Sequence, residues 1–122
     1  MAAPDGRWHI VANGFQGDLD LSSDGRGRIT GTARIDSPEV DPVLGSWDEG
    51  RQRIVFQREV TAADGSPQHY TGHMFEADAS FMQGGRYGPP DEPAFRVLAG
   101  SFDGTGASAS RPVYAWLAWQ RI

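Results

Sequence analysis

The sequence predicts an all-β fold, a closed eight-stranded antiparallel up-and-down barrel spanning 1–122 as a single domain, and three observations carry the prediction. Apolar residues recur at every second position rather than at the 3.6-residue period of a helix. Gly and Pro, 16 and 8 of the 122 residues, gather with Asp, Asn and Ser between those alternating runs, where turn chemistry needs them. The segment VLGSWD at 43–48 is nearly restated as LAGSFD at 98–103, so one strand pattern serves more than once.

The elements follow in order. RWHIVA (7–12) meets FQGDLDL (15–21) through Asn13-Gly14, the dipeptide that accepts the two positive φ angles of a type I′ hairpin. SSDGRG (22–27) turns into RITGTARI (28–35), and DSPEVDP (36–42) loops into VLGSWD (43–48). DEGR (48–51) turns into QRIVFQREV (52–60), and TAADGSP (61–67) leads to QHYTGHMFEA (68–77). FRVLAGSFD (95–103) and PVYAWLAWQRI (112–122) are the last two strands. The connection 78–94 is long and contains SFMQ, a candidate short extra strand. With that segment read as a loop the strand number is even, so in a meander the last strand runs antiparallel to the first and the sheet closes without edges. Gly31, Gly45, Gly72 and Gly100 all fall mid-strand. Glycine weakens a strand, so its recurrence at equivalent places marks bends that coil the strands into a narrow barrel. The repeat is structural rather than catalytic.

Composition narrows the function classes. Sixteen acidic residues against 11 basic ones give a net charge of −5 with no basic run, which argues against a nucleic-acid partner. All 11 basic residues are Arg, so lysine nucleophiles and Schiff bases are excluded, and the absence of Cys excludes thiol chemistry and disulfides. MAAPDGRW lacks the charged and apolar regions of a signal peptide, and no run approaches the roughly 18 apolar residues of a membrane helix. The expectation is a cytoplasmic protein without a membrane partner, with a removed export signal as the alternative.

GRW at 6–8 resembles the Gly-x-Trp opening of calycin barrels, the lipocalin and avidin relatives, and ITGTA and LGSWD are similar to strand motifs of streptavidin-like proteins. The resemblance covers most of the chain at the level of pattern and order. It implies that Trp8 plugs one barrel end beneath a basic side chain of the last strand, here Arg121.

Alternation from an inward Trp8 points Ile10, Ala12, Phe15, Leu19, Leu21, Gly45, Trp47, Ile54 and Phe56 into the barrel, then Tyr70, Met74, Leu98, Phe102, Tyr114 and Trp116. Up-down topology sorts these by height. Trp8, Leu21, Trp47, Met74 and Leu98 form a plug, whereas Phe15, Arg58, Tyr70, Phe102, Tyr114 and Trp116 surround a mouth. The expected ligand-binding set is Phe15, Phe56, Arg58, Tyr70, Phe102, Tyr114 and Trp116, an apolar pocket with a few convergent polar groups. An inward Arg58 needs a partner or solvent. No carboxylate is evident on its face, so an anionic or carbonyl-bearing ligand is expected to supply one. Arg58→Leu should then leave stability unchanged or improved.

Other candidates carry less chemistry. His69 and His73 share a strand face but stand roughly 13 Å apart by strand rise, too far for one metal ion. They and His9 read as outward. Asp18, Asp20 and Asp24 suggest a calcium loop, but the position of its bidentate Glu is Gly31, so a hairpin turn is expected. No metal or cofactor is predicted. The last two strands are apolar on both faces, with Phe95, Val97, Val113, Leu117 and Trp119 outward. Either the segment 78–94 covers that face or a homodimer or higher homo-oligomer forms through 95–103 and 112–122.

The reading is a binding module for a small, largely apolar ligand in the barrel mouth, rather than an enzyme. One alternative is a small barrel cyclase or isomerase that polarises a carbonyl with Tyr or Arg, for which a perturbed Tyr70 or Tyr114 would speak. The other is a structural or inhibitory module acting through its outer face.

Overall fold

A computed structural model describes residues 3–36, 38–59, 67–77, 95–104 and 113–121, with the backbone alone at 76, 77, 95, 104 and 121. The strands are β1 (Gly6–Ala12), β2 (Phe15–Ser23), β3 (Arg28–Ile35), β4 (Asp41–Asp48), β5 (Arg53–Arg58), β6 (Gln68–Ala77), β7 (Phe95–Gly104) and β8 (Tyr114–Arg121). Each pairs antiparallel with the next, and β8 pairs with β1, so the sheet closes in sequence order. The SFMQ segment and the 78–94 connection lie outside the described residues.

Turn chemistry sets the register. Asn13 and Gly14 carry φ of 49° and 86°, the two left-handed residues of the type I′ hairpin, and place Ala12 opposite Phe15. At the opposite end, the Asp24 carboxylate accepts the backbone N–H groups of Arg26 and Arg28 at 2.7 and 3.0 Å. Those two hydrogen bonds lower its pKa. Asp18 pairs with Arg34 and Asp20 with Arg7 across neighbouring strands, so the three carboxylates serve the sheet surface and a turn.

Strand bounds differ from the sequence reading at β4 and β5. β4 begins at Asp41 rather than Val43, because Pro42 sits second in the strand and needs only its carbonyl, which accepts from Glu59 N at 2.9 Å. β5 begins at Arg53, since Gln52 adopts a φ of 52° in the preceding turn.

The glycines act through close approach. A Cβ on Gly45 would lie 2.1 Å from the Val55 carbonyl oxygen. Gly72 pairs with Gly100 and Gly100 with Trp116, and a Cβ on Gly72 would meet the Trp116 ring at 2.6 Å. The double-glycine row therefore makes room for an indole whose Nε1 donates to the Thr71 and Ser101 carbonyls, both at 3.1 Å.

Inward residues alternate as expected, with Trp8, Ile10, Leu19, Ile54, Tyr70 and Leu98 fully buried. Ile29, Ala33, Ile35, Val43 and Ala118 complete the core. Phe15 departs from the inward set: its parity is right, but as the first residue of β2 it stands on the rim, 52% exposed.

Candidate functional site

The barrel ends are built differently. At the plug end Trp8 is buried and its Nε1 donates to the Pro4 carbonyl at 3.1 Å, which draws residues 3–5 across the opening. A basic group does lie over Trp8, that of Arg96, 5.2 Å from the ring centroid; the side chain expected there, Arg121, lies outside the described residues. Parity places Arg96 there: it alternates inward with Leu98 on β7, and Gln120 holds the corresponding position on β8. Arg96 donates to the carbonyls of Ala3 and Asp5 at 3.0 and 3.1 Å and to the Gln120 amide oxygen at 2.9 Å. Gln120 in turn donates to the Asp5 and Arg7 carbonyls. Together these contacts seal the plug.

At the mouth, register arranges the inward residues in rows. Phe56, Tyr70, Phe102 and Tyr114 stand opposite one another across β5 to β8. Phe56 and Tyr70 stack at 4.7 Å between centroids and Tyr70 and Phe102 at 4.6 Å, while Trp116 in the next row down meets Phe56 and Tyr70 edge-on. Such contacts stabilise by about 0.5–1.5 kcal/mol beyond area burial, so the stack is a rigid floor.

Above that floor lies a polar row. Arg58, 8% exposed, donates from Nε to Asp41 Oδ2 at 2.8 Å, and its Nη2 lies 2.7 Å from the same oxygen. Its Nη1 donates to Gln68 Oε1 at 3.1 Å, and the Tyr70 hydroxyl donates to that oxygen at 2.8 Å. The expectation that no carboxylate faces Arg58 is thus corrected. Asp41 became visible only once β4 extended past Pro42, and it alternates inward with Val43 and Trp47. Burial raises the Tyr70 pKa, outweighing the lowering by Arg58 nearby.

A cavity of about 290 Å³ opens over this row, bounded by Ala12, Asn13, Phe15, Ile35, Asp36, Arg58, Gln68, Phe102 and Tyr114. Of the predicted site residues, Phe15, Arg58, Phe102 and Tyr114 border it. Phe56, Tyr70 and Trp116 are buried in the floor and do not. Sequence reading missed Asp41 and Gln68, although each shares parity with an assigned inward residue of its own strand, Gly45 and Tyr70.

The histidines face outward: His69 and His73 are exposed, and His9 sets its ring edge against Trp119 at 4.5 Å. No group of three His, Asp or Glu side chains suited to a metal ion occurs among the described residues.

Comparison of the chain with family models, curated proteins and solved structures finds no match. The architecture itself defines the class, a small closed antiparallel barrel consistent with a calycin-like fold.

Proposed function

We propose that the chain is a calycin-like binding module, in the manner of lipocalin and avidin relatives, that takes one small, largely apolar molecule at the barrel mouth. The observation that carries this reading is the cavity of about 290 Å³, walled by Phe15, Phe102 and Tyr114 over an aromatic floor, with two polar side chains at its base. That volume lies at the lower end of small-molecule pockets. The polar groups at its base stand on paired strands, which hold a site in place better than loops do.

The enzyme alternative draws less support. Tyr70 is perturbed, but upward and by burial, so its hydroxyl stays protonated and is no base near neutral pH. That hydroxyl is committed to Gln68 beneath the cavity, away from any substrate carbonyl.

Titration with small neutral aromatic compounds, followed by heteronuclear NMR, tests the reading. Shifts should concentrate at Phe15, Phe102 and Tyr114, and Tyr114→Ala should weaken binding by at least about tenfold, the equivalent of 1.4 kcal/mol. Shifts confined to the outer surface would overturn it.

A second proposal concerns assembly. Leu117 and Trp119 are 42% and 39% exposed on β8 and pair with Val11 and His9 of β1, with Ala99 and Val97 opposite on β7. This outer surface carries no full charge at its centre and suits a homodimer. Light scattering should give a mass above the 13.3 kDa monomer, and Trp119→Glu should return it to monomer by placing an unpaired charge in the interface. A monomeric wild type would rule the proposal out.

A further inference from the structure

The polar row at the mouth has a direction, and that direction selects a ligand chemistry. A guanidinium has no lone pair to offer, so the Gln68 amide can meet Arg58 Nη1 only through its oxygen. The same oxygen takes the Tyr70 hydroxyl proton. With Oε1 doubly engaged, the amide cannot flip, and among the described residues nothing accepts from its nitrogen. Gln68 borders the cavity, so the polar group it holds ready there is a pair of N–H donors.

Charge points the same way. Among the described residues, Arg58 is the one cation bordering the cavity, and Asp41 lies against it at 2.7 Å, while Asp36 adds a second carboxylate at the rim. One positive charge against two negative ones, on a chain of net charge −5, does not favour an anion. An unpaired donor facing a buried ligand is costly, whereas a neutral oxygen satisfies it without desolvating an ion.

Building on the mouth as the binding site, we propose that Gln68 sets its specificity, donating to the carbonyl oxygen of a neutral ketone, amide or ester whose ring or chain lies against Phe15, Phe102 and Tyr114. Arg58 and Asp41 are positioning residues. They lock the amide in its orientation and remove the charge that would otherwise draw a carboxylate. The anionic arm of the ligand expected from sequence is thereby set aside in favour of the carbonyl-bearing one.

Three matched probes test this: naphthyl methyl ketone, naphthoate and ethylnaphthalene, titrated into the full chain and into Gln68→Glu. The variant's carboxylate still accepts from Arg58 and Tyr70 but deletes both donors. In the wild type the ketone should bind at least about tenfold more tightly than either companion, because a site built to donate rejects partners that cannot accept or that carry charge. The Gln68 side-chain amide proton signals should move downfield on ketone addition alone. In Gln68→Glu the ketone should fall to within about threefold of ethylnaphthalene, the level expected once the donor contribution is gone. Tightest binding by naphthoate would overturn the inference, as would equal binding of ketone and hydrocarbon with a stationary Gln68 signal. Both outcomes leave the mouth as a site. If none of the three probes moves Phe102 or Tyr114, the mouth reading fails as well.

Discussion

Among the described residues each end of the barrel buries one arginine, and the two are satisfied by opposite means. Arg96 at the plug rests on Trp8 and donates to two backbone carbonyls and the Gln120 amide oxygen, all neutral groups. Arg58 at the mouth faces a full carboxylate, Asp41, and spends one further donor on Gln68. Among the described partners, the plug keeps a net positive charge and ties it to the segment that seals it. The mouth cancels its charge and leaves amide donors over. One residue type therefore serves closure at one end and, on the proposed reading, selectivity at the other, and the difference lies in the partner rather than in the arginine.

The largest expected effects remove what each end is built on. Trp8→Ala should cost about 3–5 kcal/mol, because the indole fills the plug and carries both the Pro4 contact and the Arg96 seat. Denaturant unfolding measures this, and a loss below roughly 1 kcal/mol, the level of surface positions, would remove Trp8 from the core. Asp41→Ala should cost a similar amount, about 3–5 kcal/mol, since it strands a buried guanidinium. Asp41→Asn offers Arg58 a neutral acceptor of the kind Arg96 already uses, so its cost should be smaller, about 1–3 kcal/mol. Equal losses for the two Asp41 variants would show that charge, not hydrogen bonding, holds Arg58, and would sharpen the contrast with Arg96. The same logic replaces the earlier expectation for Arg58→Leu: it leaves the Asp41 carboxylate buried without its cation and should destabilise.

Most of the barrel was legible because alternation is a strong code where one face is buried. Trp8, Ile10, Leu19, Tyr70 and Leu98 each follow from the parity of a single inward neighbour, and Asn13-Gly14 fixed the first register. The polar row was not legible, for physical reasons. Pro42 reads as a loop residue, which hid Asp41, although a proline second in a strand loses no ladder bond it needs. Arg96 over Trp8 was not legible because parity near a strand end hangs on where the strand is judged to start. Gln68 went unnoticed since an amide at a strand end looks like solvent-facing decoration until its two donors, Arg58 and Tyr70, are in place. Periodicity reports where a side chain points and says nothing about which partner it finds there.

A smaller effect is expected from the plug arginine. Arg96→Met keeps the aliphatic packing against Trp8 while deleting the charge and its hydrogen bonds, so the loss should be about 1.5–3 kcal/mol, the range for charged hydrogen bonds. The readout specific to the seal is the segment 3–5. Backbone amide exchange at Asp5 should accelerate and the Trp8 emission should shift to the red, because Ala3 and Asp5 lose the guanidinium donors that hold their carbonyls, leaving Asp5 only the longer contact from Gln120. A destabilised variant with unchanged Trp8 emission would make Arg96 a general core residue and dissolve its pairing with residues 3–5.

The smallest effect comes from the Tyr70 hydroxyl, which links the aromatic floor to the polar row. Tyr70→Phe removes one donor from Gln68 and leaves the stack intact, so at neutral pH it should cost about 0.5–1.5 kcal/mol. Its pH dependence is more telling. The folded-state pKa of Tyr70 lies above the ordinary phenol value of 10.0 because burial opposes the phenolate. Below pH 10 both folded and unfolded chains hold the proton, and the contribution is fully present. As pH climbs past 10 the unfolded chain releases the proton first, so stability falls until the folded pKa is passed. Wild type should therefore lose stability more steeply than Tyr70→Phe above about pH 10, and their difference at neutral pH should shrink or reverse there. Parallel curves up to the alkaline limit would mean that the phenol titrates as it does in solvent, and that the row joining Tyr70 to Gln68 and Arg58 is open to water rather than roofing the floor.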